Sequence, residues 1–293
     1  MILIIGANGH LGSAIAQHLL EQGKPVRLMI RNPHNALYLE QQGAEVVSGD
    51  LRDPASLKSA CQGVEQVIAA AHALNGKRDN NIHTVDNIGN RNLIDAAKAA
   101  GVKHFIFVSV QGASSDSELE FFRIKYRVEE YLRASGMSYT IIRPCAFMDL
   151  WGELVGSPIL KQGTATIFGS GSNPINFVSA DDTAQVVCAS LDEPATFNRI
   201  LEVCGPEDLT MNQVVDIFDR LSSRSTKKRY MPLPVMKGMS LFMRLFNPTL
   251  SRLIQMSVYM DTADLCCEVT ETQKELPFPL TRFEDWARSN YGG

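Results

Sequence analysis

The chain has no long apolar run. None of its hydrophobic stretches approaches the roughly 18 consecutive residues expected of a membrane-spanning helix, so no membrane span is expected within its 293 residues. A surplus of one charge is also missing. A formal net charge of −4, with 20% charged and 45% hydrophobic residues, argues against a nucleic-acid partner and against disorder. The cysteines Cys61, Cys145, Cys188, Cys204, Cys266 and Cys267 form no C-x-x-C pair and the histidines no H-x-x-x-H, so no metal is expected. Most of these cysteines lie in apolar segments, where a free thiol packs as a small hydrophobe. There is no internal repeat, no low-complexity linker and no signal-peptide core, since Met1–Ile5 runs directly into a glycine-rich turn. What remains is an enzyme-sized globular protein of a cytoplasmic or equivalent reducing compartment, long enough to bury a substantial core.

What is present starts at the first strand. The run Ile2-Leu-Ile-Ile-Gly6-Ala-Asn-Gly9-His-Leu-Gly12 places three glycines after an aliphatic stretch suited to a buried parallel strand. They precede a helix in which Leu11, Ala14, Ile15 and Leu19 recur at helical spacing up to Gly23. The spacing is G-x-x-G-x-x-G, and its strand–loop–helix setting reads as a dinucleotide-binding loop. In such a loop Gly6 lets the chain leave the strand tightly, Gly9 lets bare backbone approach a pyrophosphate, and Gly12 lets the helix pack on the sheet. The diphosphate then rests on the helix N-terminus, where the macrodipole favours an anion.

Strand and helix patterns alternate through the first two thirds of the chain. Strands are expected at Val26–Ile30, Glu45–Ser48, Gln66–Ala70, His104–Ser109 and Tyr139–Arg143, and the clearest helices at Asn87–Ala100 and Ser117–Ala134, ended by Gly101 and Gly136. This is the pattern of an α/β, doubly wound parallel sheet. Beyond Pro144 short strands at Thr164–Phe168 and Ile175–Val178 flank a Gly/Ser/Asn turn, a helix covers Ala180–Leu191, and Arg199–Val203 returns to the main sheet. Thr210 and Gln213 form a capping box ahead of another helix. The expected organisation is a nucleotide-binding domain over 1–150 and a smaller C-terminal lobe over 151–293 that interleaves with its sheet.

Several side chains stand out against this frame. Arg31 follows the second strand, where NAD sites usually carry a carboxylate; an arginine there suits a 2′-phosphate. After the third strand come Gly49-Asp50-Leu51-Arg52-Asp53, with Asp50 placed to accept from an adenine amino group, Leu51 as an apolar wall, and Asp53 as the cap of a helix opening at Pro54. Lys125 shares one helix face with Phe121, Val128 and Leu132, where a cation must either snorkel or meet a polar partner. The methionine-rich stretch Met231–Met260 reads first as core packing, with an apolar pocket or partner surface as the alternative. Lys227-Lys-Arg229 reads as a solvated basic patch.

Together, Gly6-x-x-Gly9-x-x-Gly12, Gly-Asp-Leu-x-Asp at 49–53, Phe105–Ser109, Lys125, Tyr139-Thr-Ile-Ile-Arg-Pro144 and Val178-Ser-Ala-Asp-Asp182 resemble an atypical short-chain dehydrogenase/reductase, and more narrowly the NmrA-like group of NAD(P)-binding proteins. The resemblance covers about residues 1–220, with a weaker echo at Thr281–Trp286. It implies a Rossmann-type sheet holding NADP(H) along Gly6, Asn8, Gly9, His10, Leu11, Gly12, Arg31, Asp50, Leu51, Ala70, Lys125, Pro144 and Phe147. It further implies hydride transfer between NADPH and a quinone, carbonyl or enone-type small molecule, with Lys125 and Ser109 as the catalytic candidates. The pattern departs from the family at Phe121, where ordinary members place a tyrosine, and at Val110, where they place a serine or threonine. A phenyl ring donates no proton. The alternatives are therefore a non-catalytic NADP(H) sensor or assembly factor whose C-terminal lobe binds a protein partner and, disfavoured by Phe121 and Val110, a nucleotide-sugar epimerase or dehydratase.

Overall fold

The computed structural model describes residues 1–223, 225–268, 272, 276 and 278–292. Two compact units result: Met1–Pro144 with Thr183–Glu202, and Cys145–Asp182 with Val203–Gly293.

The first unit is built on strands β1 (Ile2–Ile5), β2 (Val26–Ile30), β3 (Glu45–Ser48), β4 (Gln66–Ala69), β5 (His104–Val108) and β6 (Ser138–Pro144). Helices α1 (His10–Glu21), α2 (Leu37–Gln41), α3 (Pro54–Ala60), α4 (Asn90–Ala99) and α5 (Glu120–Ala134) connect them. The strands run parallel in the order β3-β2-β1-β4-β5-β6, and the strand Arg199–Val203 adds a seventh beside β6, as expected from its sequence. Every residue of β1 and β5 is buried, because a parallel sheet is covered on both faces. Leu3, Phe105, Phe107 and Ile141 pack there with Leu93, Ile94, Val128 and Leu132 from α4 and α5. The order reverses between β1 and β4, and the crevice beyond the carboxyl ends of the strands at such a switch point is where doubly wound sheets bind ligands.

Two helix starts differ from their expected positions. The helix expected from Ser117 opens at Glu120, because the Ser117 hydroxyl accepts from the Leu119 N–H (3.3 Å) and holds that tripeptide in a turn. The helix expected from Asn87 opens at Asn90 and is preceded by a π-helical stretch, Ile82–Gly89. Asn81 caps that stretch in a reciprocal box with Thr84, a pairing that the usual Ser/Thr-x-x-Glu/Gln pattern does not reveal.

In the second unit β7 (Ala146–Phe147) is followed by α6 (Met148–Trp151), α7 (Ser157–Gln162), β8 (Thr164–Phe168) and β9 (Ile175–Val178). Helix α8 (Ala180–Ala189) and β10 (Arg199–Val203) lead back through the first unit. The second unit resumes with β11 (Asp208–Leu209), α9 (Met211–Ser222), β12 (Lys227–Met231), α10 (Leu233–Phe246), α11 (Pro248–Thr262) and α12 (Phe283–Tyr291). Strands β8 and β9 flank the predicted turn yet do not pair with each other: β8 pairs in parallel with β12, and β9 sits between β11 and β7. Trp151, Phe177, Phe218, Phe283 and Trp286 form the core of this unit, and Thr210 and Gln213 make the predicted capping box.

Two features depart from the sequence reading. Cys204 and Cys267, which fall in no C-x-x-C or other short-range pattern, are joined as a disulfide across 63 residues. The Met231–Met260 stretch is not simply core: Met236 and Ile254 are buried, but Leu241, Phe242, Leu245 and Phe246 are exposed. Among the described residues no helix is long and apolar enough to cross a membrane.

Candidate functional site

The glycine loop separates its three glycines by purpose. At Gly6 φ is +98°, and an added Cβ would lie 2.7 Å from the Ala71 nitrogen and 2.9 Å from the Ala70 carbonyl carbon, so the loops after β1 and β4 meet through a glycine. At Gly12 an added Cβ would lie 2.2 Å from the Gly6 oxygen, which fixes how closely α1 enters the loop. Gly9 is different. Its Cβ position meets nothing nearer than the Gly6 oxygen at 3.6 Å, so no protein contact requires a glycine there. Gly9 is also the N-cap of α1, with no side-chain cap and no acid in the first turn. Asn8, Gly9 and His10 are exposed on this rim, while Leu11 and Gly12 turn into the core.

Arg31 stands exposed just past β2, its Nη1 donating to Asn80 Oδ1 at 3.1 Å. Across from it, Asp50 is engaged by a residue that the sequence reading passed over. Arg52 donates through Nε to Oδ1 (2.9 Å) and through Nη2 to Oδ2 (2.6 Å). The Arg52 guanidinium holds the Asp50 carboxyl below its usual range, with a smaller contribution from Arg31. Two cations thus face one carboxylate. Asp53 does what its place before Pro54 predicts, accepting from the Ala55 N–H at 3.0 Å as the cap of α3, and Leu51 is buried against Gly89.

Lys125 does not snorkel. It is 3% exposed on α5, and its Nζ lies 3.3 Å from Oδ1 of the fully buried Asp86 and donates to the Val108 carbonyl at 3.1 Å. The rings of Phe107 and Phe121 lie 4.9 and 5.5 Å from the ammonium. Asp86 is tethered in turn by the Ala73 N–H, 2.9 Å from Oδ2, so the pair joins the segment after β4, the end of β5 and α5. Beside the pair stands His72, exposed, with its ring 6.4 Å from that of Phe121 in an edge-on arrangement. Its imidazole is held below the ordinary histidine value, chiefly by the protein wall around it and also by Lys125, while Asp86 opposes the shift. Sequence reasoning missed both Asp86 and His72. Asp86 had one available signal, an acid on the helical face of Ile82, Val85, Gly89 and Leu93.

Ser109 is buried one residue beyond β5 and donates to Glu129, itself 1% exposed and held by Arg143 through bonds of 2.5 and 3.0 Å. Its hydroxyl proton is therefore committed to a carboxylate. Ala70 closes the loop after β4, donating to the Ile5 carbonyl at 2.9 Å, and Pro144 ends β6 with its carbonyl accepting from Gln111 at 3.0 Å. Phe147 lies on β7 in the second unit, whereas every other candidate belongs to the first. Cys145 has no nucleophilic character: its thiol donates to Asn176 Oδ1 at 3.1 Å, and burial pushes it up to about 12.

The NmrA-like family model matches residues 1–287. The chain belongs to this family. Among curated relatives, photosystem II assembly factor Ycf39 of Cyanophora paradoxa is 34% identical over 235 residues, covering 79% of this chain and 72% of that protein. An NAD(P)H azoreductase of Xenophilus azovorans is 28% identical over 228 residues, covering 78% and 76%. Among solved structures, an NADPH-dependent quinone oxidoreductase of Escherichia coli complexed with NADPH superposes with a TM-score of 0.81 at 24% identity, over 99% of this chain and 100% of that one. That likeness is one of fold.

Proposed function

We propose that this NmrA-like protein binds NADP(H) in the glycine loop and passes hydride from NADPH to a small quinone or carbonyl acceptor. The observation that carries the reading is Lys125, a buried cation held by Asp86 at the carboxyl ends of β4 and β5 with an exposed imidazole beside it. The rest of the first unit fits the nucleotide. Gly9 offers bare backbone at a helix N-terminus without a side-chain cap, and Arg31 offers a guanidinium where no carboxylate follows β2. Asn87 lies within the same π-helical segment and Asn90 directly follows it, each with a buried amide oxygen that has no protein hydrogen-bond partner among the described residues.

When bound, NADPH supplies the hydride; reducing a quinone to a hydroquinone also consumes one proton. Lys125 stabilises negative charge developing on the acceptor oxygen, and His72, facing solvent, relays the proton in place of the tyrosine that Phe121 replaces. Ser109 acts as a positioning group, tying the end of β5 to the Glu129–Arg143 pair. The test follows NADPH oxidation against a panel of quinones and reactive carbonyls in the unaltered protein, Lys125→Met and His72→Gln, with NADPH affinity measured in each. The expected result is turnover lost in Lys125→Met beyond what any change in its NADPH affinity explains, and turnover reduced at least tenfold in His72→Gln with NADPH affinity retained.

A second reading rests on Phe121 and on the similarity to a protein named as an assembly factor. In it NADPH binds without turnover, and the chain serves as a sensor or assembly factor. NADPH binding without hydride transfer to any acceptor of the panel selects this reading.

A further inference from the structure

Helices α10 and α11 each bury one apolar and one polar side chain, Met236 and Ser240 on the first, Ile254 and Ser251 on the second. Ser240 and Ser251 are bonded to each other at 3.1 Å, the Ser251 hydroxyl donates to the Ser240 carbonyl at 2.9 Å, and Gln255 donates to both hydroxyls. The outward face of α10 is apolar. Leu241, Phe242, Leu245 and Phe246 are 70%, 59%, 80% and 72% exposed, and Val235 and Gly238 continue the same stripe. A helix in water normally presents the opposite arrangement.

Helix α10 carries two charged residues, Lys237 and Arg244, and no Asp or Glu, in a chain whose net charge is −4. Lys237 and Arg244 lie along one border of the exposed stripe, both exposed and without an ion pair among the described residues. Phenylalanine and leucine outward with lysine and arginine at the margin is the pattern of a helix that lies in the surface of an anionic bilayer. A second copy of this chain fits the face less well, since it would bring the same cations together.

We propose that α10 docks this protein on an anionic lipid surface, with Leu241, Phe242, Leu245 and Phe246 entering the acyl boundary and Lys237 and Arg244 meeting the headgroups. At 14 residues the helix is too short to span the bilayer, so the docking is peripheral. This is independent of whether the first unit turns over NADPH.

The test is flotation of the full chain with vesicles of phosphatidylcholine alone or with roughly one third phosphatidylglycerol, at low and high salt. Binding to the anionic vesicles, weakened at least tenfold by high salt, is expected. The double variants Leu245→Glu/Phe246→Glu and Lys237→Glu/Arg244→Glu should each lose at least tenfold, and their unfolding midpoints should stay unchanged because these side chains are exposed. As a separate readout, Gly238→Trp places an indole where nothing lies within 4 Å of the added Cβ, and its emission should shift to the blue on anionic vesicles. Absence of flotation with both vesicle types overturns the proposal, as does unchanged binding by Leu245→Glu/Phe246→Glu. A solution mass of two chains that falls to one in that variant also overturns it and assigns the face to self-association. So does vesicle-independent binding of a protein partner that the same variant abolishes.

Discussion

At the scale of single residues, the decisive feature is a charge that water does not reach. Lys125 and Asp86 are both buried and paired at 3.3 Å, and removing one partner strands the other in a low-dielectric interior. Lys125→Met should therefore cost about 3–5 kcal/mol in urea denaturation, and Asp86→Asn introduced beside it should restore part of that loss. A neutral Lys125→Met would show that Asp86 has another partner. Because this destabilisation accompanies any catalytic effect, turnover by Lys125 variants has meaning only below their unfolding transition. Arg31 permits a cleaner measurement, since it is exposed. NADPH should bind at least tenfold more tightly than NADH, about 1.4 kcal/mol, and Arg31→Asp should reverse the order in calorimetric titration. Equal affinities in the unaltered protein would remove Arg31 from the 2′-phosphate. Lys125 and Arg31 were legible because each breaks a local pattern, one an apolar helix face and the other the usual acid after a second strand. Asp86 and His72 were not, because their meaning depends on α5 packing against segments some 40 to 50 residues earlier in the chain.

At the scale of elements, the strand–loop–helix unit β1–α1 distinguishes glycine needed for packing from glycine free to serve a ligand. Gly12→Ala places a methyl carbon 2.2 Å from the Gly6 oxygen and must push α1 away, which should cost about 2–3 kcal/mol or more. Gly9→Ala meets only ordinary contact at 3.6 Å and should cost under about 1 kcal/mol, the usual loss at an N-cap. Its effect should instead fall on NADPH affinity, weakened at least tenfold by fluorescence titration. If Gly9→Ala binds NADPH as the unaltered protein does, the nucleotide does not approach this backbone. The strands of the first unit were readable nearly to the residue, because an all-buried parallel strand is a short aliphatic run bounded by turn residues. The second unit was less so. The periodicity of α10 gives an apolar face but no indication of which way it turns, and the partners of β8 and β9 lie far along the chain.

At the scale of the whole molecule, the alternation of strands and helices conveyed the doubly wound sheet, including the return of Arg199–Val203, since that architecture follows from a repeating local unit. How the returning segment is fastened was not legible, and His104 shows why. This histidine of β5 is 2% exposed, lies 3.0 Å from Thr140 Oγ1 on β6, and packs, tilted by 43°, 4.1 Å from the ring of Phe197, which arrives from the returning segment. Thr140 in turn donates to the Thr196 carbonyl at 2.9 Å. Nothing local to His104 announces these partners. Burial pushes its imidazole down to about 4, against an ordinary value of 6.5. Between those two values the unfolded chain binds more protons than the folded one, so stability is complete above pH 6.5, declines as the pH falls toward 4, and levels off below. The loss should be on the order of 2 kcal/mol once solvent screening is allowed for. Chemical denaturation across this range should show the decline in the unaltered protein and a shallower one in His104→Gln, which keeps a polar side chain but does not titrate. If the two proteins lose stability in parallel, the protons are taken up elsewhere, and the buried contact between β5 and the returning segment is not what acid loosens first.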